Sequence, residues 1–82
     1  MLTENFSLNL RAARVRRGLT QGSLAAMSGI SVSYVSMLER GSRSPPLETI
    51  EAIAEALALA PLALLQEAPR RGSRAGARDG RR

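Results

Sequence analysis

A chain of 82 residues with 44% apolar side chains can bury one compact core, and with only Phe6 and Tyr34 aromatic, aliphatic residues on packed helices must fill it. Neither Cys nor His occurs, which excludes disulfides, zinc sites of the usual ligand type and any nucleophile–histidine pair, so neither a cofactor nor catalysis is expected. The net charge of +5 is unevenly placed: six Arg (11, 14, 16, 17, 40, 43) balance six Glu (4, 39, 48, 51, 55, 67), and the excess lies in residues 69–82, where six Arg face the single Asp79.

From about Phe6 to Arg17, the four- and three-residue steps between Phe6, Leu10 and Ala13 predict a helix with one buried face. Gly18 ends it. Thr20 is placed to cap a second helix running to about Ser28, with Leu24 and Ala25 inward and Gly29 suited to the left-handed turn that follows. Gly22 and Ser23 weaken this helix, the glycine by about 1 kcal/mol relative to alanine. Ile30 is expected in the core at the turn, and Ser31 is expected to cap a third helix that reaches Arg40. Val35 and Leu38 give that helix an inward side, leaving Val32, Ser33, Ser36, Met37 and Arg40 outward.

Gly41 and the loop Ser42-Arg43-Ser44-Pro45-Pro46 stop the third helix, because proline cannot continue one. A fourth helix is expected from Pro46 or Leu47 to Leu59, with Leu47, Ile50, Ile53, Ala54 and Leu57 as its apolar stripe and Glu48, Glu51 and Glu55 in water. Pro61 suits the first turn of a short fifth helix ending near Gln66. The composition of residues 69–82, Arg and Gly without apolar period, predicts a disordered basic tail after a domain of residues 1–68. The apolar stretch Ala52–Leu65 is interrupted by Glu55 and Pro61 and is too short for a bilayer, and the N-terminus lacks the pattern of a signal peptide. A cytoplasmic protein is the expectation.

A short helix, a glycine turn and a second helix with a polar face suggest a helix-turn-helix. Residue identity sharpens this. Gly18-Leu19-Thr20-Gln21, Leu24-Ala25, Gly29-Ile30-Ser31, Tyr34-Val35-Ser36, Leu38-Glu39-Arg40-Gly41, Arg43 with Pro45, and Leu47-Glu48-Thr49 resemble the Cro/repressor-type (XRE) helix-turn-helix family over about Leu10 to Leu65. The resemblance implies an all-α, five-helix lambda-repressor-like DNA-binding domain whose third helix lies in the major groove of double-stranded DNA. By position, it makes Val32, Ser33, Ser36 and Met37 base-facing, and Gln21, Arg40 and Arg43 phosphate contacts. Arg14 and Glu39 match a structural ion pair of the family that joins the first helix to the end of the third.

Leu59, Leu62, Leu64 and Leu65 exceed what a short terminal helix needs for one core, which points to a homodimer interface at that end. The functional expectation is a transcriptional regulator, a repressor or a small controller protein like those of restriction–modification operons. The alternative is a protein-interaction module on the same fold, antitoxin-like, gripping a partner through the leucine-rich end. The Arg-rich tail is expected either to track DNA as an arm or to remain a solvated terminus.

Overall fold

A computed structural model describes residues 2–67, which form four α-helices and one 3-10 helix, with no strand among the described residues. Helix α1 spans Leu2–Arg16, α2 Gln21–Ser28, α3 Val32–Glu39, α4 Leu47–Ala56, and the 3-10 helix Pro61–Leu64. The all-helical class is as expected, but the fifth element is a single 3-10 turn. The predicted tail, 69–82, and the last residue of the predicted domain, Ala68, lie outside the described residues.

Local chemistry sets most boundaries. The Ser23 amide donates to Thr20 Oγ1 at 2.9 Å and the Tyr34 amide to Ser31 Oγ at 3.0 Å, so both helices of the central motif begin on side-chain caps. All four α-helices close alike: the amides of Leu19, Ile30, Ser42 and Leu59 donate to the carbonyls five residues back, at Arg14, Ala25, Met37 and Ala54. This closure needs a left-handed residue just before the donor. Gly29 supplies it between α2 and α3 with φ 74°, at no steric penalty, whereas Ala58 supplies it after α4 with φ 57° despite its Cβ. The left-handed turn at Ala58 stops α4 at Ala56, short of the expected Leu59.

Helix α1 begins at Leu2 rather than near Phe6, with Glu4 in its first turn, where a carboxylate complements the helix dipole. Leu2 stands four residues before Phe6 and extends the apolar period by the one turn that the expected start leaves out. Thr3 and Ser44 share a hydrogen bond of 2.8 Å between their hydroxyls, holding the turn to the loop before α4.

The core joins all elements: Phe6, Leu10 and Ala13 from α1, Leu24 and Ala25 from α2, Val35 and Leu38 from α3, Ile50, Ile53 and Ala54 from α4, and Leu57 and Leu64 beyond it. Ile30 packs against this cluster half-buried. Two expectations fail at its margins. Leu47 was placed in the apolar stripe of the fourth helix but is 63% exposed, because as the first residue of α4 it stands beyond the last core layer. Leu64, expected at an outward interface, is 1% exposed and completes the core of its own chain, while Leu62, two residues earlier on the 3-10 turn, is 72% exposed. Leu59 and Leu65 are partly buried against the core. Asn9 fastens this end, its side-chain amide donating to the carbonyls of Leu64 at 3.1 Å and Gln66 at 2.7 Å.

Candidate nucleic-acid interface

Helix α3 has eight residues, and its orientation follows from which of them are apolar. Val35 and Leu38 are fully buried, so the opposite side faces out. Val32 and Ser33 are exposed there, and Ser36 and Met37 are half-buried. The four expected base-facing residues therefore share one accessible face, and the surface they offer is short-chained and weakly polar. Ser31 keeps the start of this face in place by capping α3, and the carbonyl of Met37 accepts both the amide (3.0 Å) and the hydroxyl (3.1 Å) of Ser42, which fastens its end.

Arg14 and Glu39 lock the helix-turn-helix to α1. Arg14 Nε donates to Glu39 Oε2 at 2.6 Å and Nη2 to Oε1 at 3.2 Å, a two-pronged contact with side chains only 13% and 5% exposed. Arg14 Nη1 also donates to the carbonyl of Leu19 at 2.7 Å, fixing the turn between α1 and α2. The hydrogen bond that Arg14 donates to Glu39 raises the Arg14 pKa above its ordinary value, and burial opposes this only in part. A folded-state arginine pKa raised above its ordinary value contributes stability that is lost only as pH rises through the strongly alkaline range, so Arg14 stays charged across the physiological range.

Gln21 belongs to the same network, which its sequence position did not reveal. Its Nε2 donates to Glu39 Oε1 at 3.0 Å, so one hydrogen of the expected phosphate-contacting amide is turned inward to the ion pair. Gln21 stands on the first turn of α2, where the first amides of a helix have no intrahelical partner and the Thr20 hydroxyl accepts from one of them, that of Ser23. The network thus joins α1, α2 and α3 through a single carboxylate. Arg40, also expected at a phosphate, has its Nη1 2.6 Å from the hydroxyl of Ser36, one turn back along α3. Arg43 is exposed in the loop between α3 and α4, apart from these contacts. The sequence could have disclosed the Ser36–Arg40 pair through its four-residue spacing; the Gln21–Glu39 contact, 18 residues apart, needs the tertiary fold.

Among the described residues no group of three or more His, Cys, Asp or Glu is placed to hold a metal ion, and no helix is long and apolar enough to cross a membrane. A capped helix pair joined by a glycine turn, its second helix presenting a free face above a buried ion pair, defines a helix-turn-helix protein. The family model described as helix-turn-helix matches residues 10–64, and the chain belongs to this family, in its Cro/repressor (XRE) branch of DNA-binding transcriptional regulators.

Two uncharacterised HTH-type transcriptional regulators of Sinorhizobium fredii are similar to it. One, y4dJ, is 46% identical over 55 residues, covering 65% of this chain and 71% of the relative. The other, y4dL, is 40% identical over 57 residues, which are 70% of this chain but 29% of the longer relative, so the chain spans less than a third of that protein. Among solved structures, the restriction-modification controller protein C.AhdI of Aeromonas hydrophila is 40% identical with a TM-score of 0.73, covering 76% of this chain and 94% of that one. The P22 c2 repressor, solved in complex with a synthetic operator, is 31% identical with a TM-score of 0.71, covering 74% of this chain and 92% of the repressor.

Proposed function

We propose that this protein is a sequence-specific transcriptional regulator that binds double-stranded DNA as a homodimer and reads the major groove with residues 31–40. The observation that carries this reading is the outward face of α3. Val32, 49% exposed, and Ser33 are open to solvent on a helix capped at its start and locked to α1 at its end. Such a helix is rigid where it must fit a groove, and its early residues are small enough to approach base edges. Val32 suits a thymine methyl group, and Ser33 can donate to or accept from a base. Gln21 and the amides at the start of α2, with Arg43 beyond α3, form a border suited to phosphates on either side of the groove. The likeness to the P22 c2 repressor, whose solved complex contains operator DNA, supports the same reading.

The dimer would form at the end that carries the 3-10 helix. Leu62 is its exposed leucine there, at 72%, with Leu59 and Leu65 half-buried and Leu64 withdrawn into the core. A two-fold pair built on this end would set two α3 helices about one DNA turn apart, roughly 34 Å. The likeness to C.AhdI supports a controller-type role within this class.

The test is to incubate the protein with sheared genomic DNA at about 0.15 M salt, where nonspecific contacts are weakened, and sequence what is retained. Enrichment of a near-palindrome with half-sites one turn apart is the expected result. Recovery that matches the input would reject DNA reading and turn the search to a protein partner of the leucine-rich end. Sedimentation at tens of micromolar checks the dimer separately, and a mass of one chain would remove it.

A further inference from the structure

We infer that Arg40 is a specificity-determining residue that reads a guanine base, with Ser36 as its support. The inference rests on the proposal that α3 enters the major groove, and it assigns to Arg40 a role different from the phosphate contact implied by sequence position.

Three observations carry it. First, Arg40 has φ −84° and ψ −7° and so continues the helical turn of α3 by one residue instead of departing into the loop. At about 100° per residue, positions 32, 36, 40, 33 and 37 follow one another around the helix in that order. Arg40 therefore stands in the middle of the outward face, between Ser36 and Ser33, and almost diametrically opposite the buried Val35 and Leu38. A phosphate contact would be expected at the edge of this face or beyond it, where a groove-bound helix passes the backbone, as from Arg43, exposed in the following loop.

Second, the side chain is directed along the helix and not away from it. Side chains on an α-helix lean toward its N-terminus, and the bond from Arg40 Nη1 to Ser36 Oγ at 2.6 Å fixes the guanidinium one turn back, beside the residues that approach the bases. A guanidinium carries five N–H donors in a planar fork, and Ser36 takes one at Nη1. The edge formed by Nε and Nη2 remains, with the two-donor geometry that matches guanine O6 and N7.

Third, the face needs such a group. Val32, Ser33, Ser36 and Met37 offer no side chain that can make a two-point contact with any base, whereas an arginine at the centre of the same face does. Tethering to Ser36 also lowers the cost of ordering a long side chain when it meets the base.

The experiment selects binding sites from randomised duplex DNA with the full chain, Arg40→Ala and Arg40→Lys. The expected wild-type motif holds a guanine in each half-site. Arg40→Ala and Arg40→Lys should each reduce the preference for that guanine, on the order of 10- to 100-fold for alanine, and leave the other positions of the motif intact. The lysine variant keeps the charge but lacks the fork. Retention of the full motif by Arg40→Ala, with affinity lowered equally for all sequences and a shallower salt dependence, would show a phosphate contact and overturn the assignment. A wild-type selection without any motif would instead reject the DNA reading of α3, and this assignment with it. Arg40 is exposed, so both variants should melt with the wild type; if Arg40→Ala does not fold, Arg40→Met, which keeps the stem and removes both the charge and the donors, decides by the same two outcomes.

Discussion

The two halves of the domain are held by different physics. The α2–α3 half begins both of its helices on hydroxyl caps and is tied to α1 through Arg14, Glu39 and Gln21. The half formed by α4 and the 3-10 helix starts its elements at Pro46 and Ala60, with no side-chain cap, and is held by Ile53, Leu57 and Leu64, each 1% exposed or less. Polar contacts are directional and fix where a short helix points; apolar burial is tolerant of direction and supplies most of the stability. The proposed DNA-reading surface sits on the first half, where Leu24, Val35 and Leu38 are as fully buried as Ile53 and Leu57 but the polar contacts add direction.

The difference can be broken most forcefully from the apolar side. Leu57→Ala should remove about 3 kcal/mol or more by leaving a cavity, a large part of the stability of so small a domain, and a urea titration of the variant should show it. Glu39→Ala attacks the polar half. It strands the nearly buried Arg14 guanidinium and frees Gln21, with an expected loss of about 3 kcal/mol and with it loss of DNA binding. Glu39→Gln, which keeps a side chain able to bond both neighbours, should fall between this variant and the wild type in the same titration. If Glu39→Ala melted as the wild type does, the polar lock would be irrelevant to the fold.

Smaller changes sharpen the contrast. Ser31→Ala removes the cap of α3 and should cost about 1 kcal/mol in thermal melts. The smallest effects are a pair of opposite exchanges. Gly22→Ala, whose added methyl would meet only Thr20 Oγ1 at 3.8 Å, and Ala58→Gly, which relieves a left-handed alanine, should each stabilise by up to about 1 kcal/mol. One half carries glycine where a helix prefers alanine, and the other carries alanine where a turn prefers glycine.

Much of this architecture is legible in the sequence because its signals are local. Thr20, Ser31 and Gly29 act within a few residues of themselves, and the periods of Phe6, Leu10 and Ala13 or of Ile50, Ile53 and Leu57 mark buried faces directly. The faces of the final leucines were not legible. An α-helix and a 3-10 helix turn their residues at different rates, so a run of Leu62, Leu64 and Leu65 does not say which side chain goes inward until the turn type is known. The site divides likewise. The outward face of α3 and the Arg14–Glu39 pair follow from pattern and resemblance, and the Ser36–Arg40 contact is within reach of its four-residue spacing, while the second partner of Glu39, 18 residues away, depends on which side chains the fold brings within bonding distance.

The grip of Asn9 on the carbonyls of Leu64 and Gln66 spans 55 and 57 positions of sequence. On the ribosome, where a chain emerges from its N-terminus onward, α1 must wait for nearly all that follows before this clasp can close and Leu64 can seal the core. A nascent chain halted before Leu64 would hold a complete recognition motif on an open core. Arrest at successive lengths should therefore show protease resistance arriving late, in one step, only after these last residues have left the exit tunnel.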